Sequence, residues 1–161
     1  MILGMSLQAF TVFHLILSMI GIAFGFIVAG GILASNKLPG WTALFLFTTI
    51  LTSATGFLFP FTKLLPSHIV AIISLVLLAV AAYALYGKGL SGVWRAVYIV
   101  TAMLALWFNV FVLIAQSFQK VGLLNVYAPT GAEPPFAITQ AVVLLFFIFA
   151  IVAGIRRFRP A

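Results

Sequence analysis

Five apolar runs, each about as long as a helix must be to cross the hydrocarbon core of a bilayer, constrain this chain more than any other feature. They cover roughly Leu7–Ala34, Trp41–Phe61, His68–Tyr86, Val93–Gln116 and Phe136–Ile155. Of all residues 65% are apolar and only 6% are charged, whereas a soluble domain carries about a quarter charged residues. A chain this short has too much surface to hide so much hydrocarbon from water. The solvent is therefore expected to be lipid. There the backbone must satisfy its own hydrogen bonds, and runs of this length do so as helices. The expectation is an all-α, polytopic membrane helix bundle with five transmembrane helices, one domain over residues 1–161.

The breaks between runs carry turn chemistry. Ser35-Asn36-Lys37-Leu38-Pro39-Gly40 closes the first run, Pro60 and Pro66 bracket the second break, Gly87-Lys88-Gly89 makes the third, and Tyr127-Ala128-Pro129-Thr130-Gly131 lies in the fourth. The first run is longer than a bilayer requires, so a tilted helix is expected. It also lacks a basic leading segment and exceeds a signal-peptide core, which marks it as a retained helix.

Lys and Arg set the expected orientation. Lys37, Lys88, Arg95, Arg156, Arg157 and Arg159 fall on the side of the C-terminus, and only Lys63 and Lys120 fall on the side of the N-terminus. The positive-inside rule then places the N-terminus outside and the C-terminus in the cytoplasm. Trp41, Trp94, Tyr86 and Tyr98 come near the cytoplasmic interface. The net charge of +7 is spread over the ends of apolar runs rather than gathered in one patch, so the expected partner is membrane lipid and not nucleic acid. The Arg156-Arg157-Phe158-Arg159 tail reads as an anchor to anionic headgroups.

Polar residues inside the runs fall on stripes. The first helix carries Thr11, His14, Ser18, Gly21 and Gly25 on one face, and Gly21/Gly25 is a small-xxx-small pair that lets a neighbour approach closely. The second carries Thr48, Thr52 and Thr55, with Thr49, Ser53 and Gly56 alongside. The fourth shows Tyr98, Thr101, Ala105, Asn109, Val112 and Gln116 as a stripe. The fifth has Gln140 near its start and Ala150/Gly154 as a second close-packing pair. Such groups are expected to face the bundle interior. With the orientation above, His14, Asn109 and Gln140 share the outer half. The expected site is an outward-facing polar pocket lined by His14, Asn109, Gln116 and Gln140, with Glu133 at its rim.

Glu133 is the one acidic residue. It precedes Pro134-Pro135, where a carboxylate suits a helix N-terminus; a pairing with Lys63, Lys120 or His68 is the alternative. The absence of Cys excludes disulfides and thiolate sites. His14 and His68 raise an alternative in which they hold haem b, or a quinone binds near them. Their expected depths differ by roughly 10 Å along the helices, which counts against a shared iron. No metal site is expected.

Several segments resemble a known group: SATGFLFPF (Ser53–Phe61), LPSH (Leu65–His68) followed by Ser74-Leu75, WRAVY (Trp94–Tyr98), NVFVLIAQSF (Asn109–Phe118) and APTGAEPPF (Ala128–Phe136). Together they resemble small, mostly proteobacterial integral membrane proteins with no assigned activity. The resemblance spans the last two-thirds of the chain and implies a multi-pass protein of the bacterial inner (cytoplasmic) membrane. It implies no reaction.

The chain has no serine-nucleophile motif, no paired carboxylates and no phosphate-cradling glycine loop, so an enzyme is not expected. The leading expectation is a non-enzymatic membrane protein that binds a small ligand or a partner subunit, without a resident cofactor. The alternatives are the haem b or quinone electron-transfer module and a small oligomeric transporter or channel. A homo-oligomer or a larger membrane complex fits either reading of the partners.

Overall fold

The computed structural model describes residues 1–160. The described chain is helical: α1 Leu7–Leu33, α2 Pro39–Gly56, α3 Pro66–Ala82, α4 Trp94–Lys120, the single turn α5 Gly122–Asn125, and α6 Pro134–Arg157. Four of them, α1, α3 with the turn that extends it to Gly87, α4 and α6, are long and apolar enough to cross a membrane. The 18-residue α2 is not one of the four. Its threonines, Thr42, Thr48, Thr49, Thr52 and Thr55, lower its apolar content.

The boundaries follow local chemistry. Ser6 caps α1, its hydroxyl accepting the Ala9 amide at 3.2 Å, as an N-cap serine should. Pro39, Pro66 and Pro134 open α2, α3 and α6, where a missing N–H costs nothing. The second run was expected to stay helical to Phe61, but α2 stops at Gly56. Proline disfavours helical backbone in the residue before it, and Pro60 makes Phe59 such a residue. Beyond Ala82 the helix widens into a π-turn, Tyr83–Gly87, closed by the Lys88 amide on the Tyr83 carbonyl at 2.9 Å.

The central element is α4, which packs against α1, α2, α3 and α6. Tyr98, Ile99, Met103 and Leu106 on it are fully buried. Tyr98, on the stripe expected to face inward, is buried near the start of α4 with its ring 6.1 Å from Phe158. By contrast α6 buries one stripe only, Phe147, Ala150 and Gly154, and leaves Leu145 at 66% and Phe149 at 61% exposure. In lipid such a face is satisfied where it stands, because acyl chains are as apolar as leucine. Association of the helices then rests on close fit, and the small residues supply it. A Cβ on Gly21 would stand 3.3 Å from the hydroxyls of both Thr48 and Thr49; one on Gly25 would collide with Leu106 and with Phe45; one on Gly154 would stand 2.8 Å from Ile32 and 3.1 Å from Ile99. Gly25 against Leu106, and Ile32 against Ile99 across Gly154, also fix α1 antiparallel to α4 with a definite axial register.

Candidate functional site

The buried hydroxyls of α2 are mostly committed to their own helix. Thr48 donates to the Leu44 carbonyl at 2.7 Å, Thr52 to Thr48 at 2.8 Å and Thr55 to Leu51 at 2.6 Å. This is back-bonding one turn along, which satisfies a hydroxyl without help from another helix. Thr55 does one thing more: its oxygen lies 3.0 Å from His14 Nδ1. The Thr55 proton is spent on Leu51, so the oxygen can only accept, and the His14 ring must carry its proton on Nδ1. The Nε2 lone pair of His14 is then left available. Phe59 meets the ring edge-on at 5.2 Å between centroids.

His68 has the opposite tautomer. Its Nδ1 accepts the Leu65 amide at 3.0 Å, closing the start of α3, so the neutral ring holds its proton on Nε2. A metal needs a lone pair, and His68 offers one only by giving up that bond. The two rings have different neighbours: His14 reaches Gly56, while His68 lies against Phe57 and Phe61. Among the described residues no group of three His, Cys, Asp or Glu side chains gathers.

The expected outer pocket is divided. Continuing the α1–α4 register places His14 level with Ser117 and Asn109 level with Ile22, about 12 Å apart along the bundle axis. His14 therefore shares its level with Gln116 rather than with Asn109. Asn109 and Gln116, two turns apart on α4, lie on the stripe of Tyr98, which meets Thr42 of α2. Gln140 is elsewhere: its Nε2 donates to the Phe111 carbonyl at 3.1 Å across the α4–α6 seam. Trp107, which the sequence reading did not single out, borders Phe111 too, with ring centroids 5.8 Å apart. Trp107 and Asn109 are two residues apart, and so point about 200° apart around α4.

Buried polar atoms with no hydrogen-bond partner include Thr49 Oγ1 on α2, Trp107 Nε1, Asn109 Nδ2 and Gln116 Oε1 on α4, and Gln140 Oε1 on α6. Each such atom in hydrocarbon costs about 1–3 kcal/mol unless something pairs with it. Trp107 and Asn109 offer donors; Gln116, Gln140 and His14 offer acceptors. All are neutral. The two surface cavities resolved at the ends of the bundle are lined by other residues, one by Lys37, Arg95 and Arg159 among others, one by Pro60–Lys63 and Leu65.

Glu133 stands at the N-cap position of α6 without capping it. Its carboxylate turns back to the loop and accepts from the Thr130 hydroxyl at 2.7 Å, the Thr130 amide at 3.1 Å and the Ala132 amide at 3.1 Å. The Thr130 hydroxyl, first, and these amides hold the carboxyl below its usual range, since they favour the charged form. The sign of the consequence is definite. A depressed folded-state pKa adds stability that is present above the ordinary carboxyl value and is lost as pH falls through the lowered one. Protection of the Thr130 and Ala132 amides, taken against the intrinsic exchange rate at each pH, should fall on acidification of the native chain. In Glu133→Gln that protection should be low already at neutral pH; native-like protection in that variant would show that the carboxylate does not order the loop.

No family model, no curated protein and no solved structure matches the chain.

Proposed function

We propose that the chain is a non-enzymatic, five-span protein of the bacterial inner membrane, with its N-terminus outside and its C-terminus in the cytoplasm. In this reading α2 is the fifth span, and at about 27 Å it approaches the thickness of the hydrocarbon core. Its polar interior between α1, α2 and α4 binds a small neutral ligand. The observation that carries the reading is the set of unpaired buried atoms of Thr49, Asn109 and Gln116, together with the Nε2 of His14 left free by its Thr55 contact. A bundle that needed only packing gains nothing by carrying them. They are uncharged, with Glu133 engaged in its loop, so the recognised molecule presents its own donors and acceptors rather than a formal charge. Resident metal chemistry is not part of the proposal, and no reaction is assigned.

The chain has no native thiol, which makes single-cysteine labelling in intact cells the direct test. With an impermeant thiol reagent added outside, Gly131→Cys should label quickly, Lys88→Cys should not label, and Asn109→Cys should label slowly. Leu104→Cys, on α4 but off the polar stripe, is the inert control. The orientation is wrong if Lys88→Cys labels and Gly131→Cys does not. If Asn109→Cys is as inert as Leu104→Cys, the polar atoms are sealed and the ligand site does not exist. A copurifying protein in place of a small molecule, seen by native mass spectrometry, would reassign the polar face to a partner subunit.

A further inference from the structure

At the end of the bundle opposite Glu133, three cations from separate parts of the chain converge. Lys37 comes from the α1–α2 connection, Arg95 from the first turn of α4 and Arg159 from the tail beyond α6; with Gly89, Leu90 and Pro160 they line a cavity of about 240 Å³. The walls are built rather than loose. The Arg159 amide donates to Ser35 Oγ at 2.8 Å. Phe158, 1% exposed, is sunk in the core and draws the tail inward. Arg95 Nη1 donates to the Ile155 and Phe158 carbonyls, both at 2.8 Å, and the guanidinium keeps further donors. The Leu90 amide, bonded to the Ala84 carbonyl at 3.0 Å, folds the α3–α4 connection against the same space.

Like charges brought together repel, and the chain's only acidic side chain is held by Thr130 and Ala132 at the far end. Among the described residues no acidic side chain stands beside the cluster. Guanidinium and ammonium groups around a small concavity match the oxygens of a phosphate. The volume falls below the roughly 300–1,000 Å³ of pockets for drug-sized molecules, and suits one headgroup. We propose that this cavity binds a phosphate-class anion, as a lipid headgroup at the membrane surface or as soluble phosphate. The proposal is independent of the ligand reading above, which concerns the other half of the bundle.

The test uses the purified full chain in neutral detergent, followed by native mass spectrometry with phosphatidylglycerol, phosphatidylcholine and inorganic phosphate as probes. Lys37→Gln combined with Arg159→Gln removes two exposed cations whose side chains make no hydrogen bond among the described residues. Lys63→Gln combined with Lys120→Gln is the control of equal charge at the other end. The expected result is retention of phosphatidylglycerol over phosphatidylcholine, weakened about tenfold in the Lys37/Arg159 pair and unchanged in the control. If inorganic phosphate binds with the same sensitivity to the pair and displaces the lipid, the site is assigned to soluble phosphate. If it does not, the site belongs to the headgroup. The proposal is overturned if the Lys37/Arg159 pair retains the anionic probes as well as the native chain, or if the control loses them equally.

Discussion

Gly25→Leu is expected to lower the midpoint of thermal unfolding in detergent sharply, while Gly30→Leu, five residues along the same helix, leaves it nearly unchanged. A side chain at Gly25 enters space already held by Leu106, and its Cβ would stand 2.9 Å from the Phe45 ring. Both neighbours are fully buried, so neither can swing away without displacing the core. Overpacking of this kind costs about 1–3 kcal/mol, and a leucine carries three carbons past the Cβ. The α1–α2 and α1–α4 contacts must separate together. At Gly30 a Cβ meets nothing within 4 Å, and leaving glycine improves helix propensity by about 1 kcal/mol. The two substitutions thus add the same hydrocarbon to the same helix and differ only in what stands opposite. Equal effects would mean that the α1 face at Gly25 touches lipid, and the packing described above would be wrong.

Arg95→Met should release the tail. The carbonyls of Ile155 and Phe158 lie past the point where the α6 ladder can pair them, and one guanidinium nitrogen serves both. A positive charge there also opposes the negative end of the helix dipole. Methionine keeps most of the stem that packs and removes only the head. Hydrogen bonds to a charged donor contribute about 1.5–3 kcal/mol each, discounted here because Arg95 is only half-buried. The expected readout is local: trypsin should cut after Arg156 and Arg157, but not at the resistant Arg159–Pro160 bond, in Arg95→Met under conditions where the native chain resists. The exposed Arg156→Met is the control for charge alone. If both variants are cut no faster than the native chain, the two bonds do not hold the tail. The Arg95 loss should also reduce phosphate binding, but through a disordered wall as well as a missing cation, so Lys37 and Arg159 carry that test.

The residues that were legible in the sequence are those whose role is local. Gly21, Gly25 and Gly154 were readable as close-packing positions because a missing Cβ has the same meaning on any helix that must approach another. Pro66 and Pro134 marked helix starts for reasons confined to their own backbone, whereas Pro39, read as part of the preceding turn, opens α2. The threonines of α2 were read as facing the bundle interior, and Thr42, Thr48, Thr49 and Thr52 are buried. The sequence did not show that Thr48, Thr52 and Thr55 bond to carbonyls one turn back, with Thr55 also reaching His14. Glu133 was expected to serve the helix it precedes, but it serves the loop behind it. Its short side chain meets the Thr130 hydroxyl and two loop amides at once, and a helix terminus offers no better set.

Consecutive residues alone were enough to read the helical class, the helices apolar enough to cross a membrane and the approximate ends of each long helix, because the length of an apolar run and the backbone limits of proline and glycine are properties of neighbours in the chain. Which polar groups meet was decided by the tertiary structure alone. Each residue along a helix turns its side chain by about 100° and advances it by about 1.5 Å, so partnership depends on rotation and axial register, and those are fixed by which side chain fits against Gly25 and Gly154. That register put His14 level with Ser117 rather than Asn109. Rotation around α4 sent Trp107 and Asn109 to different seams. The docking of Phe158 drew Arg159 beside Lys37 and Arg95, residues separated by much of the chain, and no pattern along the sequence records that meeting.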